Sequence, residues 1–542
     1  MPTRREADGV VAETGERPGV SARRSAGVRL SELMAALSFS TDLGLGQPME
    51  HVLRSCLIAL RLADRLDLDE RQRAETYWVT LLALVCTGES FELAQLFGDD
   101  VAFRSGMYHV GPSQLAQMVY VLGQAGSDRG AAVRARTAAG IALHGGRTVE
   151  ARFLAHCAVT RQVARRLGLP PGVGEALSHT FVRWDGKGVP RRIGSEGVPM
   201  SVRLMQLADF AEVHHRLHGV EGAVGMARRH AGKLLWPELA ATFAGAAPEI
   251  LRDVDETPWD RVIAAEPSPR PPLTEEELDA VLEVVADIAD LKSPWFSGHS
   301  RGVADLAAGA VRAAGMPERD VVTIRRAGLV HDIGRTAIAN SVWDRREPLT
   351  DGDRERVRLH AYYTERMLRR PVALAGLAAI ASSHHERLDG SGYHRAARGS
   401  DIPLLGRYLA AADVYHALLE ERPHRPALEP KAAAAAATLR AEARNGKLDG
   451  AAVDVVLGVS GHRRSGLPAA PAGLTPREVE VLVLVARGAS TRQVARTLNI
   501  TPKTAGNHIE RIYAKIGASS RSTATLFALR HGMLATLEPV QR

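Results

Sequence analysis

Three cysteines in 542 residues, Cys56, Cys86 and Cys157, are too few and too irregularly spaced for a disulfide framework or a cysteine-held metal. Their odd number leaves buried, reduced thiols as the expected state. Aromatic residues make up 5% of the chain, and no apolar run approaches the length of a membrane span. The opening Arg4-Arg5-Glu6-Ala7-Asp8 lacks the apolar core of a secretory signal, so a cytoplasmic protein without membrane contact is expected. Alternating runs of strand period are scarce, and there is no phosphate-cradling P-loop. Apolar residues instead recur at helical spacing almost throughout, which predicts an all-α protein.

The length allows several domains. Residues 1–28 are rich in Gly, Arg, Glu and Pro without periodicity, and disorder is expected there. Two breaks read as linkers: 256–273, with Glu266-Pro267-Ser268-Pro269-Arg270-Pro271-Pro272, and 459–472, with Arg463-Arg464-Ser465-Gly466 and Pro468. They separate folded parts at 29–255, 274–458 and 473–542. The last part holds ten Lys or Arg against four Glu, a net +6 of the chain's +7. A basic field this local points to a phosphate-bearing partner for that part alone.

In that last part Thr475 can cap a helix, Pro476 suits its first position and Glu478 completes a capping box. Val479, Leu482, Val483 and Ala486 follow at helical spacing until Gly488. Ser490 caps a second helix, and a third begins at Thr501-Pro502 with a polar face suited to a major groove. The stretch resembles the LuxR-type helix-turn-helix domain, including Arg521, Ala524 and Ala528-Leu529-Arg530-His531-Gly532. The resemblance implies a small four-helix domain that binds double-stranded promoter DNA. Lys503, Thr504, Asn507 and His508 would face bases and phosphates, and Arg511 and Lys515 would hold the backbone.

The middle part concentrates His299, His331-Asp332, His360, His384-His385 and Asp413 in apolar helical sequence. Buried side chains of this kind need partners, and metal ions satisfy them most simply. Gly298-His299-Ser300, Leu329-Val330-His331-Asp332-Ile333-Gly334 and His384-His385-Glu386-Arg387-Leu388-Asp389-Gly390-Ser391-Gly392-Tyr393 resemble the HD-GYP phosphohydrolases. That resemblance implies an HD-type helical bundle with two metals. His299, His331, Asp332 and Asp413 would hold one, His360, His384 and His385 the other, and Asp332 would bridge them. Imidazole-rich ligation favours iron or manganese, with zinc as a further candidate. Trp295 stands where some members carry a carboxylate, so a third ion is not expected. Asp332 and Arg335 are the expected catalytic residues, and Tyr393, Arg422 and Arg425 the expected substrate contacts, with cyclic di-GMP or a related phosphorylated nucleotide as ligand. Two departures bear on that ligand: Arg335 replaces the family's lysine, and His394 replaces the proline after Gly392-Tyr393.

The first part repeats the second. His156 stands 29 residues before Asp185 and Asp209 stands 24 after it, and His360, Asp389 and Asp413 show the same spacing. Two HD-type bundles in tandem are therefore expected, the first degenerate, because Cys86-Thr87 occupies the His-Asp position and Thr180-Phe181 the His-His position. An insertion at about 90–150 distinguishes it. The whole reads as a DNA-binding transcriptional regulator, expected to be a homodimer, whose second bundle senses or hydrolyses a nucleotide. The competing reading is an active phosphodiesterase that uses DNA binding for location or feedback.

Overall fold

The computed structural model describes residues 27–85, 88–190, 197–423, 431–461, 471–531 and 533–534. Most of the N-terminal stretch expected to be disordered, Cys86 and most of the second expected linker lie outside them. Every regular element among the described residues is helical, with β-bridges only as isolated pairs. No described helix is long and apolar enough to cross a membrane.

Helices Leu30–Gly44, His51–Arg65, Glu70–Leu82, Ala131–Arg166, Met200–His230 and Pro237–Ile250 make the first bundle. Glu275–Asp290, His299–Ala313, Glu318–Val330, Asp351–Arg369, Val372–Ala381, Leu404–Leu419 and Gly450–Ser460 make the second. Local chemistry sets several starts. Asp69, Thr274 and Thr350 each accept a hydrogen bond from the third helical amide, and the side-chain oxygens of Gln72, Glu277 and Asp353 in turn accept one from the cap backbone amide.

The two bundles share details at matching places. The residue before each leading histidine is left-handed, Glu50 at φ 75° and Gly298 at φ 82°. Asp42 accepts from the Val52 amide at 2.9 Å, and Asp290 accepts from the Ser300 amide at 3.0 Å. Burial pushes both carboxyls up to about 7, against the pull of His51 and His299 respectively.

One buried apolar cluster runs from Leu30 through both bundles to Leu526. Polar contacts also cross between them. Lys292 Nζ lies 2.7 Å from Asp100 Oδ2 with neither side chain exposed, and the Asn340 amide donates to Asp100 Oδ1 at 2.7 Å. Asp100 opens the helix Asp100–Met107 of the insertion, which thereby braces the second bundle. The stretch 256–273 carries a helix, Pro258–Ala264, and folds back on the first bundle, with the Leu273 amide donating to Val28 O at 2.7 Å.

The C-terminal helices Pro476–Ala486, Thr491–Thr497, Pro502–Ile516 and Arg521–Arg530 enclose a separate core that includes Val481, Leu482, Val494 and Ile512. Thr475, Ser490 and Thr501 cap the first three, as their sequence implies. The last helix packs along Ala131–Arg166. On the second bundle, the domain meets the segment that leads into His299. Ser297 Oγ donates to Ala486 O at 3.0 Å, and a side chain at Gly488 (φ 88°) would meet the Pro294 ring at 2.7 Å.

Candidate metal centre

His299 opens its helix, His331 and Asp332 follow the end of Glu318–Val330, and His360 lies within Asp351–Arg369. His384 and His385 follow Val372–Ala381, and Asp413 lies in Leu404–Leu419. The fold brings these seven side chains to one point, all buried except the half-buried His385.

Asp332 divides the histidines into two sets. Its Oδ2 lies 2.8 Å from His331 Nε2 and 3.4 Å from His299 Nε2, while its Oδ1 lies 3.5 Å from both His360 Nε2 and His384 Nε2. Asp413 Oδ1 lies 3.2 Å from His299 Nε2, and Asp413 Oδ2 lies 3.8 Å from His385 Nδ1. Donor atoms of His299, His331 and Asp332, and separately those of His360, His384 and His385, are near enough for a common ion.

The protons fit ligation. A carbonyl can only accept, so His331 donates from Nδ1 to Gly328 O at 2.6 Å, His384 to Ala381 O at 2.6 Å, and His360 to Val357 O. Each Nε2 then turns a lone pair inward. His360 Nε2 and His384 Nε2 face each other at 3.1 Å, an arrangement that a cation stabilises and that two bare lone pairs do not. Burial, aided by His384 and opposed by Asp332, holds His360 down to about 3, and burial with His384 holds His385 well below its ordinary value. His299 Nε2, His331 Nε2 and both Asp332 oxygens are buried, and the two nitrogens lie at ion-pair distance from Asp332 Oδ2, but none makes a well-aligned hydrogen bond among the described residues. Despite burial, Arg335 and His331 hold the Asp332 carboxyl well below the usual range, and His299 with His385 does the same for Asp413. These residues fit a pair of divalent cations.

Two residues outside any motif complete the centre. His299 donates from Nδ1 to Glu420, 3.1 Å away at Oε2, and Glu420 Oε1 lies 3.1 Å from His416 Nδ1. A carboxylate behind a ligating imidazole fixes its ring and tautomer. Their sequence signal was spacing: His416 and Glu420 stand three and seven residues after Asp413, on one helical face.

The expected catalytic and substrate residues are distributed unevenly. Arg335 Nη2 lies 2.6 Å from Asp332 Oδ2, with its guanidinium 4.4 Å from the Phe296 ring centroid. Tyr393 is half-buried with its ring 4.8 Å from that of His385, forming a wall of the centre. Arg422 is bound to Glu420 and lies over Phe296 at 4.8 Å, while Arg425 lies outside the described residues. At the position of the replaced proline, His394 Nε2 lies 2.8 Å from Glu365 Oε2. Glu386 ties down the same loop by accepting from the Arg395 and Ala397 amides.

The first bundle has put protein groups where the second has inward lone pairs. Both ring nitrogens of His51 face carboxylates, Asp209 at 2.9 Å and Glu212, and the Tyr108 hydroxyl donates to Asp209 at 3.1 Å. Burial disfavours charge on His51, yet Asp209 and Glu212 push it up to about 10. His156 donates to Ala83 O and faces Glu89. An imidazolium with both N–H groups committed cannot ligate a metal.

In the C-terminal domain Lys503, Asn507 and Arg511 are exposed on the helix Pro502–Ile516 and His508 is half-exposed, a free polar face. Thr504 lies at its edge with its hydroxyl 2.8 Å from that of Thr501. Lys515 turns away from this face and binds Glu478 at 2.7 Å, closing the domain on itself.

Comparison with known proteins agrees with this geometry. Residues 283–452 match the family described as HD domain, and residues 472–528 match Bacterial regulatory proteins, luxR family. The chain carries an HD domain and a luxR-type domain. A 3'3'-cGAMP-specific phosphodiesterase 3 of Vibrio cholerae is 29% identical over 405 residues, 74% of this chain and 88% of that protein. A match this long takes in part of the first bundle as well as the HD domain. A cyclic di-GMP phosphodiesterase of Thermotoga maritima is 32% identical over 28% of this chain and 42% of its own length. A crystal structure of a cyclic GMP-AMP specific phosphodiesterase from V. cholerae superposes with a TM-score of 0.55 at 25% identity, covering 82% of this chain and 99% of that one. In this chain the luxR-type domain docks against both bundles.

Proposed function

We propose that the protein is a cytoplasmic, DNA-binding transcriptional regulator whose HD domain, at 274–458, holds two divalent transition metals and hydrolyses a cyclic dinucleotide. The observation that carries the metal half is the division of Asp332, one oxygen toward each set of imidazoles, with the inward lone pairs of His360 and His384 facing each other. When bound, the cations supply Lewis acidity for attack of water on a phosphodiester, with iron or manganese favoured by the donor set and zinc acceptable to it. The chain's own part is positioning. Backbone carbonyls and Glu420 orient the imidazoles, Asp332 and Asp413 bring negative charge, and Tyr393 walls the site beside His385.

The V. cholerae and T. maritima relatives point to a cyclic dinucleotide as the substrate class, the first to 3'3'-cGAMP and the second to cyclic di-GMP. Through the luxR-type domain at 473–542, Lys503, Asn507, His508 and Arg511 read promoter DNA, with Asn507 and His508 on base edges. Two copies on paired half-sites would supply the surface that one short reading helix lacks. The first bundle, at 29–255, acts as a degenerate partner that shares a core with the HD domain.

The test is turnover of 3'3'-cGAMP and cyclic di-GMP by manganese- or iron-loaded full chain, beside Asp332→Ala. Multiple turnovers abolished by the substitution are expected, and a wild type inert on both supports the second reading. That reading, a metal-bearing sensor without turnover, is favoured by Arg335, whose guanidinium touches the same Asp332 oxygen as His299 and His331. Under it, Arg335→Lys gains turnover that the wild type lacks.

A further inference from the structure

A cleft with a cavity volume of about 550 Å³ opens between the helix Ala131–Arg166 and the luxR-type domain. It shares no residue with the metal centre. Arg161 and Arg165 project from the first bundle on one side, and Arg530 with Phe527 from the last helix on the other. Its lining contains no Asp or Glu. Arg166, also in the wall, is committed to Asp287 at 2.5 Å, but Arg161, Arg165 and Arg530 are exposed and form no ion pair among the described residues. Domain docking therefore gathers three uncompensated guanidinium groups around one concavity, which raises the local potential and leaves it to be met by an anion.

The lining describes the anion's chemistry. Guanidinium forks match phosphate oxygens in pairs. The volume falls within the range of small-molecule sites, far above the needs of a single inorganic phosphate. The half-exposed Phe527 ring and the Gln162 side chain line the same space and suit the face and edge of a base. We infer that this cleft is a second, non-catalytic nucleotide site, in which a phosphorylated nucleotide of dinucleotide size bridges the first bundle and the luxR-type domain. The anion site follows from the cleft alone, whereas the dinucleotide class rests on the proposed function.

The experiment is calorimetric titration of the full chain with 3'3'-cGAMP and with linear 5'-phosphorylated diguanylate. Four proteins are compared: wild type, Asp332→Ala, the triple variant Arg161→Ala/Arg165→Ala/Arg530→Ala, and Phe527→Ala. All three arginines are exposed, so unchanged melting of the triple variant checks that it folds. Expected is retained binding in Asp332→Ala, at least tenfold weaker binding to the cleft in the triple variant than in wild type, and a smaller loss in Phe527→Ala. Absence of binding to Asp332→Ala, with wild-type binding by the triple variant, overturns the inference. So does a triple variant that loses affinity for duplex DNA while binding nucleotide normally, because the arginines would then serve the DNA backbone. Turnover by wild type with an empty cleft sinks the inference and leaves the proposed function standing. Arginine-dependent binding without turnover does the reverse.

Discussion

At the scale of single residues, the centre is built from lone pairs and the groups that aim them. Glu420 accepts from the outward nitrogen of His299, so Glu420→Gln should keep the fold and weaken metal affinity by about 10- to 100-fold, read by competition with a chromophoric chelator. Unchanged affinity would reduce Glu420 to a surface partner of Arg422. The seven candidate ligands, which the fold brings to one point, were legible because histidines and aspartates have few other reasons to recur in apolar helical sequence. Glu420 and His416 were not, since a glutamate and a histidine beyond the motif announce themselves only by helical phase to Asp413. Lys515 shows the opposite limit: a basic residue late in a reading helix looks like a phosphate contact, but its ammonium is held by Glu478. Lys515→Ala should therefore lower the melting temperature of the luxR-type domain and leave the salt dependence of DNA binding unchanged. Arg511→Ala, exposed on the free face, should instead reduce the salt slope by about 1. Salt titrations of both variants on one DNA duplex separate these outcomes.

At the scale of elements, the repeat decides more than the helices do. Helix starts in the C-terminal domain followed from capping residues, whereas the partners of the insertion did not: Asp100 meets Lys292, 192 residues away, a pairing no local pattern encodes. The seven-residue helix inside 256–273 was hidden by the prolines around it. In the first bundle the place that matches the candidate centre holds an ion cluster of His51, Asp209, Glu212 and Arg54, and its pH dependence has a defined sign. His51 is raised to about 10, so its contribution is complete below its ordinary value near 6.5 and is lost as pH rises through about 10. Burial works against charge on Glu212, yet His51 and Arg54 hold it down at about 2; its contribution is complete above 4.5 and lost as pH falls toward 2. The melting-temperature gap between wild type and His51→Leu should be widest between about pH 5 and 6.5 and close toward pH 10. A gap that widens with alkalinity would contradict the assigned charge on His51.

At the scale of the whole molecule, a shared core makes the two bundles one body, and the luxR-type domain rests on it partly through the segment from Pro294 to Gly298, which leads into the candidate metal ligand His299. Coupling between two binding sites is reciprocal. If metal loading changes DNA affinity by some factor through this segment, DNA should change metal affinity by the same factor, and fluorescence titrations in both orders check the equality. The general architecture was readable from sequence, because two repeats and a basic C-terminal module each carry their own pattern. The docking was not, because the packing of Arg521–Arg530 along Ala131–Arg166 and the contacts of Pro294, Ser297 and Gly488 follow no local pattern that names a partner. The proposed function requires metal in the HD domain and none in the first bundle. Elemental analysis of anaerobically purified wild type, Asp332→Ala and His51→Ala addresses this directly. Two metals per chain in wild type, a loss of both in Asp332→Ala and no change in His51→Ala are the predicted result. A metal-free wild type, or metal that leaves with His51 and stays without Asp332, would contradict it.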